Sequence, residues 1–249
     1  MRVIILAAGY AARLQPMTLN TPKPLLLVGK KRIIDRILEK VASLKGLSSI
    51  CIITNAKFFL SFSEWQKSSQ YKDKIDLIND GSTSNENRQG AIKDLEIAVS
   101  DKTIDEDILV IAGDNLFDFD LASFLDFAKS HSDGISVALY DIRDLSSAKN
   151  FGVVKVDKQA KIIDFEEKPE KPKSTLISTG IYYFPKNKLS FIKEYVKKGK
   201  KIDAPGYYIS WLAKQDKVYG FTFLEDWYDI GNVESYEKAN EEYLKKERL

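Results

Sequence analysis

The chain has 249 residues, with 38 Lys and Arg against 36 Asp and Glu, one His and one Cys. So even a charge balance supplies no overall field for nucleic acid or an anionic membrane, and any anion binding has to be local. One Cys excludes an internal disulfide framework and a multi-thiolate metal site, and one His excludes His-rich zinc sites; the chemistry left to the chain rests on carboxylates, Lys, Arg, backbone amides and a hard metal. At about 150 residues per domain the length suits one large domain or two small ones, and one is expected. The apolar run from Val3 to Ala8 is far shorter than the roughly 20 residues that span a bilayer and makes a poor signal peptide, so a cytoplasmic protein is expected.

In chain order, Val3 to Ala7 reads as a strand, Ile33 to Leu44 as a helix whose apolar residues recur every three or four positions, and Ser49 to Thr54 as a strand. A weaker amphipathic segment near Phe62 to Tyr71 precedes a strand at Ile75 to Asn79, a helix at Ala91 to Val99, the strand Ile108 to Ala112 and a helix at Leu121 to Lys129. This βαβ rhythm predicts a Rossmann-like α/β fold, a mixed and mostly parallel sheet flanked by helices with ligands at the carboxyl ends of the strands. After Ser132 the pattern turns to strands: Ile135 to Tyr140, a hairpin of Val153 to Val156 and Ile162 to Phe165, and Gly180 to Phe184. Two helices follow, around Leu189 to Val196 and Tyr208 to Lys214, then a strand at Val218 to Leu224 and a closing helix from Val233 to Lys246. Cys51 reads as a buried apolar residue and His131 as a solvated helix end.

Five places can carry chemistry. Leu6-Ala7-Ala8-Gly9-Tyr10-Ala11-Ala12-Arg13-Leu14 is a strand ending in small residues. It is either a cradle for a triphosphate, with Arg13 forking onto its oxygens, or a tight turn into a helix. Lys23, between Pro22 and Pro24, has stiff backbone on both sides, which either aims its ammonium or marks a rigid exposed loop. Asp114, in Gly113-Asp114-Asn115, follows a central strand where a carboxylate can hold Mg²⁺ against phosphate oxygens, or merely caps a turn. Asp229, in Trp227-Tyr228-Asp229-Ile230-Gly231-Asn232, is a second such acid or a cap for the last helix. Glu166-Glu167-Lys168-Pro169 is a further candidate, or a solvated charged loop.

Together these pieces resemble the sugar-phosphate nucleotidyltransferases, the sugar nucleotide pyrophosphorylases typified by glucose-1-phosphate thymidylyltransferase. The stretch Leu6 to Leu26 resembles their L-A-A-G-x-G-T-R-L opening and the following P-K-P-L-L. The likeness continues in Gly113-Asp114-Asn115, Phe151-Gly152-Val153, Glu167-Lys168-Pro169, Thr179-Gly180-Ile181-Tyr182 and Asp229-Ile230-Gly231. The resemblance implies a nucleotide site at Leu6, Ala7, Ala8 and Gly9, with Gly90 against the base, and Arg13 and Lys23 gripping the triphosphate. Asp114 and Asp229 would share Mg²⁺, and Gly152, Glu167, Lys168 and Gly180 would hold a sugar 1-phosphate, glucose 1-phosphate being the first choice. It implies an NDP-sugar and pyrophosphate as products, and one catalytic domain over residues 1–249 without a C-terminal left-handed β-helix. Homo-oligomers fit it as well.

The chain departs from that pattern at Ala11 and Ala12, where the signature has Gly and Thr. Ala11 is expected to keep a negative φ, and Ala12 brings no hydroxyl. The segment Asp80 to Gly90 matches no base-reading pattern closely. A cytidylyltransferase acting on phosphocholine or inositol 1-phosphate, and a regulatory homologue that binds nucleotide without turnover, are the competing readings. A dinucleotide-dependent dehydrogenase is excluded by the glycine spacing.

Overall fold

The computed structural model describes residues 1–101, 104–199 and 203–248. In chain order the elements are β1 (Arg2–Leu6), β2 (Leu27–Val28), β3 (Lys31–Arg32), α1 (Ile33–Ala42), β4 (Ser49–Thr54), α2 (Phe59–Ser68), β5 (Ile75–Asn79), α3 (Ala91–Asp101), β6 (Ile108–Ala112) and β7 (Asn115–Phe117). Then come α4 (Leu121–Ser130), β8 (Ile135–Asp141), α5 (Leu145–Ala148), β9 (Gly152–Val156), β10 (Ile162–Glu167), β11 (Leu176–Phe184), α6 (Ser190–Lys197), α7 (Pro205–Gln215), β12 (Val218–Phe223), β13 (Trp227–Asp229) and α8 (Val233–Lys246). The fold is the expected Rossmann-like α/β type, with a mixed sheet flanked by helices. Among the described residues no helix is long and apolar enough to cross a membrane.

Internal contacts divide the chain into two compact units. The first is Met1–Gln89, Ile111–Asp118 and Asp226–Leu249. In it β1 pairs in parallel with β4, and β4 with β5, Leu6 lying opposite Ile53 and Thr54 opposite Asn79. Val3, Ile4 and Ile5 of β1 and Ile50 to Ile53 of β4 are all fully buried, the continuous apolar run of a parallel strand covered on both faces. Helix α1 buries Ile33, Ile34, Ile37, Leu38 and Val41, each worth roughly 1.5–3 kcal/mol when removed from water. The weaker periodicity near Phe62 has its cause in α2, which buries only Phe62 and Trp65; the Trp65 indole N–H donates to Asp35 at 2.9 Å.

The second unit is Gly90–Val110 and Phe119–Glu225. Here β8 lies antiparallel to β11 and parallel to β12, and β9 and β10 form the expected antiparallel hairpin, closed by Asp157, whose side chain accepts the N–H groups of Gln159 and Lys161 at 2.9 Å each. One aromatic cluster stacks Phe119 on Phe223 with ring centres 4.2 Å apart, and another packs Tyr195, Tyr208 and Trp211 at 5.0–6.0 Å. Strand β11 begins at Leu176, four residues before the expected Gly180. The register shifts between Ser178 and Tyr182, with Gly180 at φ 79°, and this bulge breaks the alternation that would have marked the first half as strand. The two-residue β2 and β3 and the short β7 and β13 carry too few residues to show a period. Cys51 is fully buried as expected. His131 is the half-exposed C-cap of α4, its ring 4.2 Å from that of Phe127.

Candidate functional site

In the first unit β1 ends at Leu6, but its pairing runs one residue on, Ala7 N–H donating to Ile53 O at 2.8 Å. Leu6 is half-buried, Ala7 and Ala8 are buried, and Gly9 is exposed. Asn55, just past β4, holds this loop from the neighbouring strand: its amide donates to Ala8 O at 2.9 Å and its oxygen accepts Phe58 N–H at 3.0 Å. The Gly113 N–H donates to Leu6 O at 2.8 Å. A Cβ at Gly113 would stand 2.9 Å from that same oxygen and 3.2 Å from Pro24 Cγ, so only Gly lets the turn after β6 close on the loop after β1.

Lys23 lies in a 3₁₀ turn, Lys23–Leu25, with Pro22 and Pro24 buried on either side. Its Nζ donates to Asp114 Oδ2 at 2.7 Å and to Ile230 O at 2.7 Å. Two residues read separately from the sequence are thus one ion pair. Burial opposes ionisation of Asp114, but the charge and hydrogen bond of Lys23, with the field of Arg13, outweigh it and hold the carboxyl below its usual range. Arg13 itself is exposed.

Asp229 does not cap the last helix. Asn232 does, its side chain accepting Ser235 N–H at 2.8 Å. Asp229 sits on β13 opposite Asn115 of β7, the residue that follows Asp114. The indole N–H of Trp227 donates to Asn115 Oδ1 at 2.9 Å, and both side chains are buried. The structure therefore pairs Lys23 with Asp114, places Arg13 within the field of that carboxylate, and carries Asp229 on the strand opposite Asn115. Among the described residues no three His, Cys, Asp or Glu cluster as a metal cage. A pair of carboxylates still fits Mg²⁺, which binds through one or two such groups and completes its shell with water and substrate phosphates.

In the second unit Gly152 of β9 is the register partner of Glu167, the last residue of β10. A Cβ at Gly152 would meet Phe165 at 2.5 Å and Glu167 Oε2 at 3.0 Å, and one at Gly206, in the first turn of α7, would meet Glu167 Oε2 at 1.7 Å. The carboxylate occupies room that two bare glycines leave. Desolvation raises the Glu167 pKa above the ordinary value, and the charge of Lys168 offsets only part of that. Lys168 is exposed, at φ 48°, with its N–H on Phe151 O at 3.0 Å. Gly180 lies in the β11 bulge, and Gly90 is buried at φ 88° ahead of α3, its carbonyl accepting Asp94 N–H at 2.9 Å.

The expectation for Ala11 is overturned: it sits at φ 48°, ψ 43°, where an L-residue is disfavoured by roughly 1–2 kcal/mol. Its carbonyl accepts Thr18 Oγ1 at 2.8 Å and Leu14 N–H at 2.9 Å, bonds that hold the turn where the family signature has Gly. Asn55 and Gly206 were not found from the sequence. An Asn after a strand and a Pro-Gly opening a helix were visible, but nothing local ties them to Ala8 or Glu167.

The family model described as nucleotidyl transferase matches residues 2–246. The chain belongs to the nucleotidyl transferase family. It is 31% identical over 252 residues to the bifunctional protein GlmU of Methanocaldococcus jannaschii, an alignment covering 99% of this chain and 55% of that protein. The chain thus spans about half the length of this curated relative. A crystal structure from Bacillus anthracis, described as a glucose-1-phosphate thymidylyltransferase in complex with a sucrose, superposes with a TM-score of 0.84 at 27% identity, covering 98% of this chain and 95% of that one. UDP-glucose pyrophosphorylase complexed with UDP-glucose shares the fold, with a TM-score of 0.83 at 21% identity over 98% of both chains.

Proposed function

We propose that this nucleotidyl transferase is a cytoplasmic enzyme whose residues 1–249 form a catalytic domain that moves a nucleoside monophosphate from a nucleoside triphosphate to a sugar 1-phosphate, giving an NDP-sugar and pyrophosphate. Glucose 1-phosphate is the first acceptor to try. The observation that carries this reading is the Lys23–Asp114 pair at 2.7 Å beneath a loop of small residues, with Arg13 close enough to act on the same carboxylate. The names of the relatives and the Glu167 carboxylate beside Gly152 support a sugar phosphate as acceptor.

In this proposal the backbone from Leu6 to Gly9 receives the nucleotide, with Gly90 against the base, and Arg13 and Lys23 bind the triphosphate oxygens. Glu167 accepts sugar hydroxyls and Lys168 binds the sugar phosphate, with Gly152 and Gly180 as the further sugar-phosphate-binding positions. The attacking phosphate oxygen is already anionic near neutral pH, so the reaction needs no general base; it needs positioning and charge stabilisation as the α-phosphorus exchanges one oxygen partner for another. Asp114 and Asp229 are the residues to hold Mg²⁺, which when bound neutralises the triphosphate and orients the leaving pyrophosphate.

The test is pyrophosphate release with Mg²⁺, crossing UTP, dTTP, CTP, GTP and ATP against glucose 1-phosphate, mannose 1-phosphate, inositol 1-phosphate and phosphocholine. One dominant pair with a hexose 1-phosphate is the expected result. Turnover only with CTP and phosphocholine or inositol 1-phosphate would replace the acceptor, and nucleotide binding with no turnover across the grid would overturn the enzymatic reading.

A further inference from the structure

We infer that Trp227 and Asn115 are positioning residues for the carboxylate pair: their buried hydrogen bond fixes the register of β13 on β7 and so sets Asp229 beside Asp114. This rests on the reading of Asp114 and Asp229 as holders of a divalent cation. The ribbon is only three residues long on each strand, with Trp227 opposite Phe117, Tyr228 opposite Leu116 and Asp229 opposite Asn115. So short a ladder specifies its register weakly by backbone bonds alone, and a slip by one residue would turn every side chain to the other face. The side-chain bond runs diagonally across it, from Trp227 at the far end to Asn115 at the Asp229 end, at 2.9 Å with Asn115 1% and Trp227 9% exposed.

A diagonal bond of this kind is satisfied in one register only. Shifting β13 would take the indole N–H away from Asn115 Oδ1 and leave a buried donor and a buried acceptor to be matched elsewhere, at a cost of roughly 1–3 kcal/mol for each group left unmet. At the β7 end, the Asp114 that precedes Asn115 is held independently by Lys23, whose Nζ also takes the carbonyl of Ile230, the residue after Asp229. Lys23 therefore links the Asp114 carboxylate to the backbone just past Asp229, while Trp227 and Asn115 lock the strands on either side. Removing outer partners of metal ligands typically lowers metal affinity 10–100-fold.

The experiment is titration of the full chain with Mn²⁺ alone, following loss of the free-ion signal by electron paramagnetic resonance, with circular dichroism and thermal unfolding in parallel. Trp227→Phe keeps most of the ring volume and removes the donor; Asn115→Ala removes the acceptor. Each is expected to keep a native spectrum and to weaken Mn²⁺ binding about tenfold, and the double variant is expected to bind no worse than either single one, because both remove the same bond. With Mg²⁺ as cofactor, the concentration giving half-maximal turnover should rise while kcat at saturating Mg²⁺ stays near wild type. Folded single variants with wild-type Mn²⁺ affinity, or losses that multiply in the double variant, would overturn the positioning role alone. Asp229→Asn with wild-type Mn²⁺ affinity would overturn the carboxylate reading beneath it, and the inference with it.

Discussion

Asp114 and Glu167 are both half-buried acids at the edge of a strand, and they are held in opposite ways. Asp114 is answered by charge: Lys23 sits on it at 2.7 Å and Arg13 adds its field, so the carboxyl stays ionised below the usual range. Glu167 is answered by space: its oxygens lie where Gly152 and Gly206 have no Cβ, and desolvation lifts its pKa. The difference predicts what each can tolerate. An acid neutralised by a cation depends on its own charge and bears small changes of shape around it, whereas an acid fitted between bare backbones depends on those backbones staying bare.

The strongest break is Asp114→Asn. The amide keeps the shape and loses the charge, so the protein should fold, with an unchanged circular dichroism spectrum, while Mg²⁺-dependent turnover falls about 10²–10³-fold, the range seen when one group that stabilises transition-state charge is lost. Turnover within a few-fold of wild type would remove Asp114 from the chemistry and leave Lys23–Asp114 a structural pair.

Gly206→Ala should act through shape alone. The new methyl carbon would lie 1.7 Å from Glu167 Oε2, so the carboxylate has to swing out or α7 has to shift, and overpacking of this kind costs about 1–3 kcal/mol of stability. The expected kinetic signature is a KM for the sugar phosphate raised by about tenfold with the KM for the nucleotide unchanged, since a lost ground-state contact appears in the KM of the substrate that makes it. Equal loss on both substrates would show that Gly206 serves the fold and not the placement of Glu167.

The two acids should also slope oppositely with pH. Asp114 titrates lower in the folded chain than in the unfolded one, so its contribution to stability is present above the unfolded value and is lost as pH falls through the folded one. Glu167 titrates higher when folded. The unfolded chain therefore gives up that proton first, and stability declines as pH rises from the ordinary carboxylate value towards the folded one. Thermal unfolding across pH 3 to 8, a window chosen at about the carboxylate range, should show Asp114→Asn flattening the acid limb and Glu167→Gln flattening the decline above it. Parallel curves for wild type and Glu167→Gln would mean the burial of Glu167 carries no proton linkage.

What was legible in the sequence follows from the same contrast between local and distant causes. The strands Ser49–Thr54 and Ile108–Ala112 announce themselves because nearly every residue is buried and apolar or small, and the half-buried Ile75–Asn79 through its apolar Ile75, Leu77 and Ile78. Lys23 announces itself through its flanking prolines, and the order of the motifs supplied the family. The bond from Trp227 to Asn115 spans 112 positions, and the seating of Glu167 on Gly206 joins a strand end to the start of a later helix. No period, cap or spacing encodes such pairs; they exist only once the chain has folded. Ala11 is a different failure. Whether a turn crosses into positive φ is decided by hydrogen bonds that Thr18 and Leu14 make to its carbonyl, and composition does not reveal them.

Ala11 gives the smallest expected effect and a clean one. Gly at this position enters φ 48° without the roughly 1–2 kcal/mol that an L-side chain pays there, but it also frees the unfolded chain by about 0.5–1 kcal/mol. The difference leaves Ala11→Gly more stable by about 0.5–1 kcal/mol, a rise in Tm of about 1–4 °C for a chain of this size. Calorimetry of the two proteins side by side measures it. A fall in Tm would mean that the bonds from Thr18 and Leu14 already hold the turn so firmly that the methyl group costs nothing, and that the loop after β1, like the Lys23–Asp114 pair beneath it, is secured by its partners and not by the freedom of its backbone.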